Sequence, residues 1–193
     1  WLDADDDGSG LGNRDLGTVT IGAVDISAAA DLVIGAHGDN NSVSGLTVNG
    51  AVDITGSGNL WFTSEPGTND DIGGTVDFNG LVTLTDTDGG GGSVIIEPDG
   101  TGNINGSVRF DGGVNISGAI AGGIVDVGTP SSALSGSLVF GPIVNNNTAG
   151  AGIDVDLDSI GGDITFGTVD LGIDPGAQTG GVDILVANNV SGT

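Results

Sequence analysis

Along this chain apolar residues alternate with polar ones in short runs, and a glycine-bearing break separates each run from the next. Alternation with a period of two marks a half-buried strand. The runs repeat as a unit: apolar-x-apolar, a short corner, then apolar-x-apolar again. The six copies are TVTIGAVDI (18–26), LTVNGAVDI (46–54), VDFNGLVTL (76–84), VRFDGGVNI (108–116), LVFGPIVN (138–145) and ITFGTVDL (164–171). Their anchors Ile21, Val48, Phe78, Phe110, Phe140 and Phe166 lie 27, 30, 32, 30 and 26 residues apart. A third apolar run follows each unit: DLVIG (31–35), NLWFT (59–63), SVIIE (93–97), IVDVG (124–128), IDVDL (153–157) and VDILV (182–186). A variable polar loop then closes on an apolar residue and a glycine, at Val43/Gly45, Ile72/Gly74, Ile104/Gly106, Leu134/Gly136, Ile160/Gly162 and Val190/Gly192.

None of these runs is long enough to hold a sheet alone, so the repeat predicts stacking. The expected fold is all-β: a parallel β-helix, or β-solenoid, of about six coils of roughly 29 residues with three short strands per coil. Each coil adds one strand to each of three parallel sheets. An antiparallel sandwich or barrel also has short strands and glycine turns, but it does not require two landmarks in every unit. Residues 1–17 read as the end of a preceding coil with an acidic loop, and 18–193 as one six-coil domain. Trp1-Leu2 matches Trp61-Phe62, and Ser191-Gly192-Thr193 matches Gly73-Gly74-Thr75. The solenoid is therefore expected to continue into a longer chain or another subunit. Corner glycines are expected to supply positive φ and close backbone approach.

Composition sharpens this picture. The chain has 40 Gly, no Cys and no Met, and Arg14 and Arg109 are its only basic side chains apart from His37. Of its 26 acidic residues only Glu65 and Glu97 are glutamates. A hydrophobic fraction of 37% separates it from disordered acidic chains. Without cysteines, stability must come from stacking. A net charge of −24 argues against nucleic acid and anionic membrane surfaces as partners. No apolar run is long enough for membrane insertion as a helix. The charge suits a self-repelling surface in a cation-rich medium.

Three groups of residues stand out. In DADDDGSGLGNRD (3–15), Asp3, Asp5 and Asp7 alternate ahead of Gly8, and Ser9 and Asp15 follow. Alternating oxygens across a glycine turn are the donors Ca2+ prefers. The twelfth position is Arg14 rather than an acid, and Asp15 comes one residue late. The second group is the outward position of the second strand: Asp25, Asp53, Thr83, Asn115, Asn145 and Asp170. Stacked Asn side chains form polar ladders, whereas Asp25 beside Asp53 pairs like charges. The third is the outward position of the third strand: Trp1, Val33, Trp61, Ile95, Asp126, Asp156 and Leu185. Its first four members are apolar, an expected contact patch for a subunit or for sugars. The first strand's outward row is Thr20, Thr47, Asp77, Arg109, Val139 and Thr165, too interrupted for an ice-binding threonine face. No enzyme is expected. His37 is the only histidine, no triad is in view, no zinc ligand set is present, and the aspartates are spread as turn residues.

The V-x-F-x-G-x-V-x-I-like units over residues 16–193 resemble those of the β-strand-repeat surface proteins, the filamentous-haemagglutinin-like adhesins and autotransporter passengers. That resemblance implies a right-handed β-helix, export to an extracellular, cell-surface location, and an adhesive or filamentous role. The partners it implies are a homo-oligomer or continuing chain and a glycan or other cell-surface ligand. The alternative is a carbohydrate-binding or carbohydrate-cleaving β-helix of the tailspike or lyase kind, for which Trp1 and Trp61 speak.

Overall fold

The computed structural model describes residues 2–4, 16–27, 29–36, 43–64, 71–85, 91–98, 101–118, 124–147, 152–171 and 182–192. Its strands follow the repeat. After β1 (Leu2–Ala4) the first coil holds β2 (Leu16–Ile21), β3 (Val24–Ser27) and β4 (Leu32–Ala36). The second holds β5 (Val43–Val48), β6 (Val52–Thr55) and β7 (Asn59–Ser64), and the third β8 (Val76–Phe78), β9 (Val82–Thr85) and β10 (Ser93–Glu97). The fourth holds β11 (Val108–Phe110), β12 (Val114–Gly118) and β13 (Ile124–Val127). The short β14 (Ala133–Leu134) precedes β15 (Leu138–Phe140), β16 (Ile143–Asn147) and β17 (Gly152–Ile160). The last coil holds β18 (Ile164–Phe166), β19 (Val169–Asp170) and β20 (Val182–Val190).

These strands form three sheets, in which every pairing is parallel. The first stacks β2, β5, β8, β11, β15 and β18, and the second stacks β3, β6, β9, β12, β16 and β19. The third runs β1, β4, β7, β10, β13 and β17, with β20 and β14 also pairing with β17. The result is the expected β-solenoid. Four coils, between Val43 and Ile160, have a neighbour on both sides. The coils of β2–β4 and β18–β20 are edge coils, so of the six expected, four are enclosed.

Alternation places the core. In β8 and β11 the outer two residues of three are buried and the middle one half-exposed. The anchors pair in sequence order, Ile21 with Val48, then Phe78, Phe110, Phe140 and Phe166. Because parallel strands lie about 4.8 Å apart, the phenyl rings stack face to face. Their centroids are 4.8, 5.0 and 5.7 Å apart from Phe78 to Phe166, with interplanar angles of 5° or less. The loop-closing residues stack as well, Val43 on Ile72, Ile104, Leu134, Ile160 and Val190.

The glycine expectation is met in one half only. At the corner between first and second strands, a Cβ on Gly50, Gly80 or Gly112 would collide with the backbone of the coil below. These residues do not have positive φ. Among the described glycines, positive φ is found at Gly56 (156°), Gly118 (96°), Gly128 (83°) and, at the fourth coil's corner, Gly113 (88°). Stacking distance, rather than chain reversal, excludes a side chain at the repeated corner.

Candidate functional site

The second-strand row is largely as expected. Asp25 pairs with Asp53, Asp53 with Thr83, and Thr83 with Asn115. The next member is not Asn145. Asn115 pairs with Val144, and Val144 with Asp170. Asn145 faces inward at 2% exposure beside Ile116, so it is a core residue and not a ladder residue. The corner explains the correction. Three residues separate Phe110 from Val114, but only Gly141-Pro142 separates Phe140 from Ile143. The strand therefore starts one residue early, and a slip of one exchanges faces.

Polar ladders also run at the start of the third strand and in the closing loops. Asn59 donates from its amide side chain and its backbone to Asp31 Oδ1, both at 2.9 Å. Ser93 N donates to Asn59 Oδ1 at 3.1 Å, and Ile124 N to Ser93 Oγ at 3.3 Å. Asn105 Nδ2 donates to Asp71 Oδ2 at 2.8 Å, Asn103 N to Asp71 Oδ1 at 2.6 Å, and Ala133 N to Asn103 Oδ1 at 3.0 Å. The sequence signal was an Asn or Asp recurring just before an apolar run.

The outward row of the third sheet brings Val33, Trp61 and Ile95 into direct register. Trp61 is 39% exposed, and Val33 and Ile95 are half-buried. Trp1 lies outside the described residues. Ile95 then pairs with Asp126, and Asp126 with Asp154 rather than Asp156. Asp156 and Leu185 pair with each other two positions further along. A two-residue slip keeps every side chain on its face, so alternation alone does not choose between Asp154 and Asp156.

Three carboxyl groups act on Asp126 of β13: Glu97 of β10, and Asp154 and Asp156 of β17. Burial pushes the Asp126 carboxyl up to about 7, with Glu97, Asp154 and Asp156 adding repulsion and a hydrogen bond to Glu97 holding the proton. Burial also raises Glu97, which its bond to Asp126 partly offsets. Two carboxyl groups hydrogen-bond only with a proton between them, which is why the contact raises Asp126 while it lowers Glu97. Glu97 is one of two glutamates in an aspartate-rich chain; Asp126 is the register partner of Ile95, so Glu97 meets it from two positions further along β10. Among the described residues no three acidic, histidine or cysteine side chains are arranged to hold a metal ion.

On the first sheet, Arg109 reaches Asp111 at 2.8 Å through Nη2 and 3.2 Å through Nε. It also lies 3.8 Å from Asp77 of the adjacent coil. Burial first, then the Asp111 charge, raises the Asp77 carboxyl, while Arg109 lowers it. This exposed cluster links neighbouring coils and contributes modestly.

Of the expected Ca2+ ligands, Asp5, Asp7, Ser9 and Asp15 lie outside the described residues. Asp3 belongs to β1, where it pairs with Gly35. His37 is outside them as well. Comparison with protein families, curated proteins and solved structures finds no match to this chain.

Proposed function

We propose that this chain is a structural and adhesive module of an extracellular surface protein or filament. The observation that carries the reading is the unbroken column from Ile21 to Phe166. Each coil offers the next the same three strand edges, the geometry of a rod that extends by addition. The resemblance to filamentous-haemagglutinin-like and autotransporter-passenger repeats supports the same role, and in this reading the module is not an enzyme. Its partner is a further coil of the same kind, in a continuing chain or a homo-oligomer. Calcium is proposed to bind the Asp3–Asp15 segment, where cations would offset the net charge of −24.

Electron microscopy of native, unproteolysed material with and without a chelator tests this. Fibres whose axial repeat is a multiple of about 4.8 Å, frayed by the chelator, are expected. Discrete short particles would contradict the filament, and chelator-resistant fibres would remove calcium from the account.

A further inference from the structure

We propose that the face around Trp61 binds an uncharged polysaccharide laid along the solenoid axis. This deepens the adhesive reading above by naming the ligand. Three neighbouring strands carry nine positions in three rows, of which Gly35 and Ser93 are buried. Asp31, Val33 and Gly35 lie on or beside β4, Asn59, Trp61 and Thr63 on β7, and Ser93, Ile95 and Glu97 on β10. Trp61 is the centre. Val33 and Ile95, both half-buried, extend its apolar surface by one strand on either side, while Gly35 is buried, and a Cβ there would meet the Thr63 carbonyl oxygen at 2.7 Å.

The borders of the stripe are polar. On one side the Asp31–Asn59–Ser93 chain is fixed by its own hydrogen bonds. On the other stand the Thr63 hydroxyl and the Glu97 carboxyl. An apolar floor with polar borders suits a pyranose ring, which has C–H faces and an equatorial rim of hydroxyls. The strand spacing of about 4.8 Å is close to the width of one such ring, so successive sugars would meet Val33, Trp61 and Ile95 in turn. The indole supplies a large, rigid stacking surface.

Charge narrows the ligand. Asp31, Glu97 and Asp126 border the stripe in a chain of net charge −24. Polyuronates, nucleic acids and a second copy of this chain are repelled from it. A neutral glycan is not, and its hydroxyls donate to the carboxylates.

Native gel electrophoresis through embedded polysaccharide is the test. The probes are hydroxyethylcellulose, xyloglucan and a β-mannan, with polygalacturonate as the anionic comparison. The wild-type chain is expected to be retarded in at least one neutral gel and not in polygalacturonate. Trp61→Ala should weaken the affinity by about tenfold or more, as for a central aromatic contact, with Trp61→Phe intermediate. Leu81→Ala, which removes an exposed apolar side chain from a corner, should behave as wild type. A second readout avoids dependence on the folding of the variant. In Trp1→Phe, Trp61 is the sole tryptophan, and the polysaccharide that retards should shield it from acrylamide quenching. Absence of retardation in all neutral gels, equal retardation of wild type and Trp61→Ala, or unchanged quenching would each overturn the site. Fibres without retardation would remove the glycan site alone, whereas retardation by discrete particles would keep the site and remove the filament.

Discussion

Phe110 and Phe166 hold the same place in the same sequence unit, and each pairs with its neighbour in the same register. Phe110 is fully buried, and Phe166 is 39% exposed. Val114 and Val169 repeat the contrast, at 0% and 44%. The difference does not come from the coils themselves. A coil of this solenoid has no core of its own, and it acquires one from the coil stacked above it. Stability should then behave as a sum of coil and interface terms, with one term missing at an edge.

The largest expected effect follows directly. Phe110→Ala removes a ring stacked on both faces and should cost about 3–5 kcal/mol, as large-to-small core changes do. Phe166→Ala, stacked on one face, should cost about 1 kcal/mol or less. Chemical denaturation of both variants checks the ratio, and equal losses would break the comparison.

The corners give the next effect. Gly112→Ala would place a methyl group into the backbone of Gly80 and Leu81, whereas a methyl on Gly22, in the edge coil, meets nothing within 4 Å. Gly112→Ala should cost roughly 2 kcal/mol or more, in the range of overpacking. Gly22→Ala should be near neutral, within about 0.5 kcal/mol. Melting both variants beside the wild type measures the difference.

The acidic cluster gives the smallest. The Asp126 carboxyl rises in the folded chain from 3.8 to about 7. The folded state therefore holds a proton that the unfolded state gives up. Its contribution is fully present below about pH 4, falls as pH rises, and is lost above about pH 7. Asp126→Asn should flatten this dependence and stabilise the chain at pH 8 by about 1–2 kcal/mol, allowing for solvent screening. Denaturation of wild type and variant between pH 4 and pH 8 checks the sign, and a wild type that gains stability with pH would contradict it.

How much of this was legible depended on what each sequence signal constrains. The anchor column from Ile21 to Phe166 was readable because each anchor is apolar and faces a Gly-bearing corner. The face of the strands followed from alternation except in β16, where Val144 and not Asn145 points outward. Register was weaker. Asn145 was misplaced because the Gly141-Pro142 corner is one residue shorter than Asp111-Gly112-Gly113. The Asp126–Asp154 pairing was missed because a shift of two residues costs alternation nothing. The glycine corners and their close backbone approach were recognised; the positive φ expected with it is absent at Gly50, Gly80 and Gly112 and present at Gly113. The apolar stripe of Val33, Trp61 and Ile95 was visible, and its polar borders appeared only when three strands stood side by side.

Residue-resolved native-state hydrogen exchange tests the dependence of each coil on its neighbours most directly. Strand amides in the enclosed coils, such as those of β9, β11 and β12, should exchange together and slowest. Protection should fall toward β18 and β19, whose core-facing side chains are exposed. Uniform protection along the chain, or greatest protection in the last coil, would show that coils carry their own stability and would contradict the account.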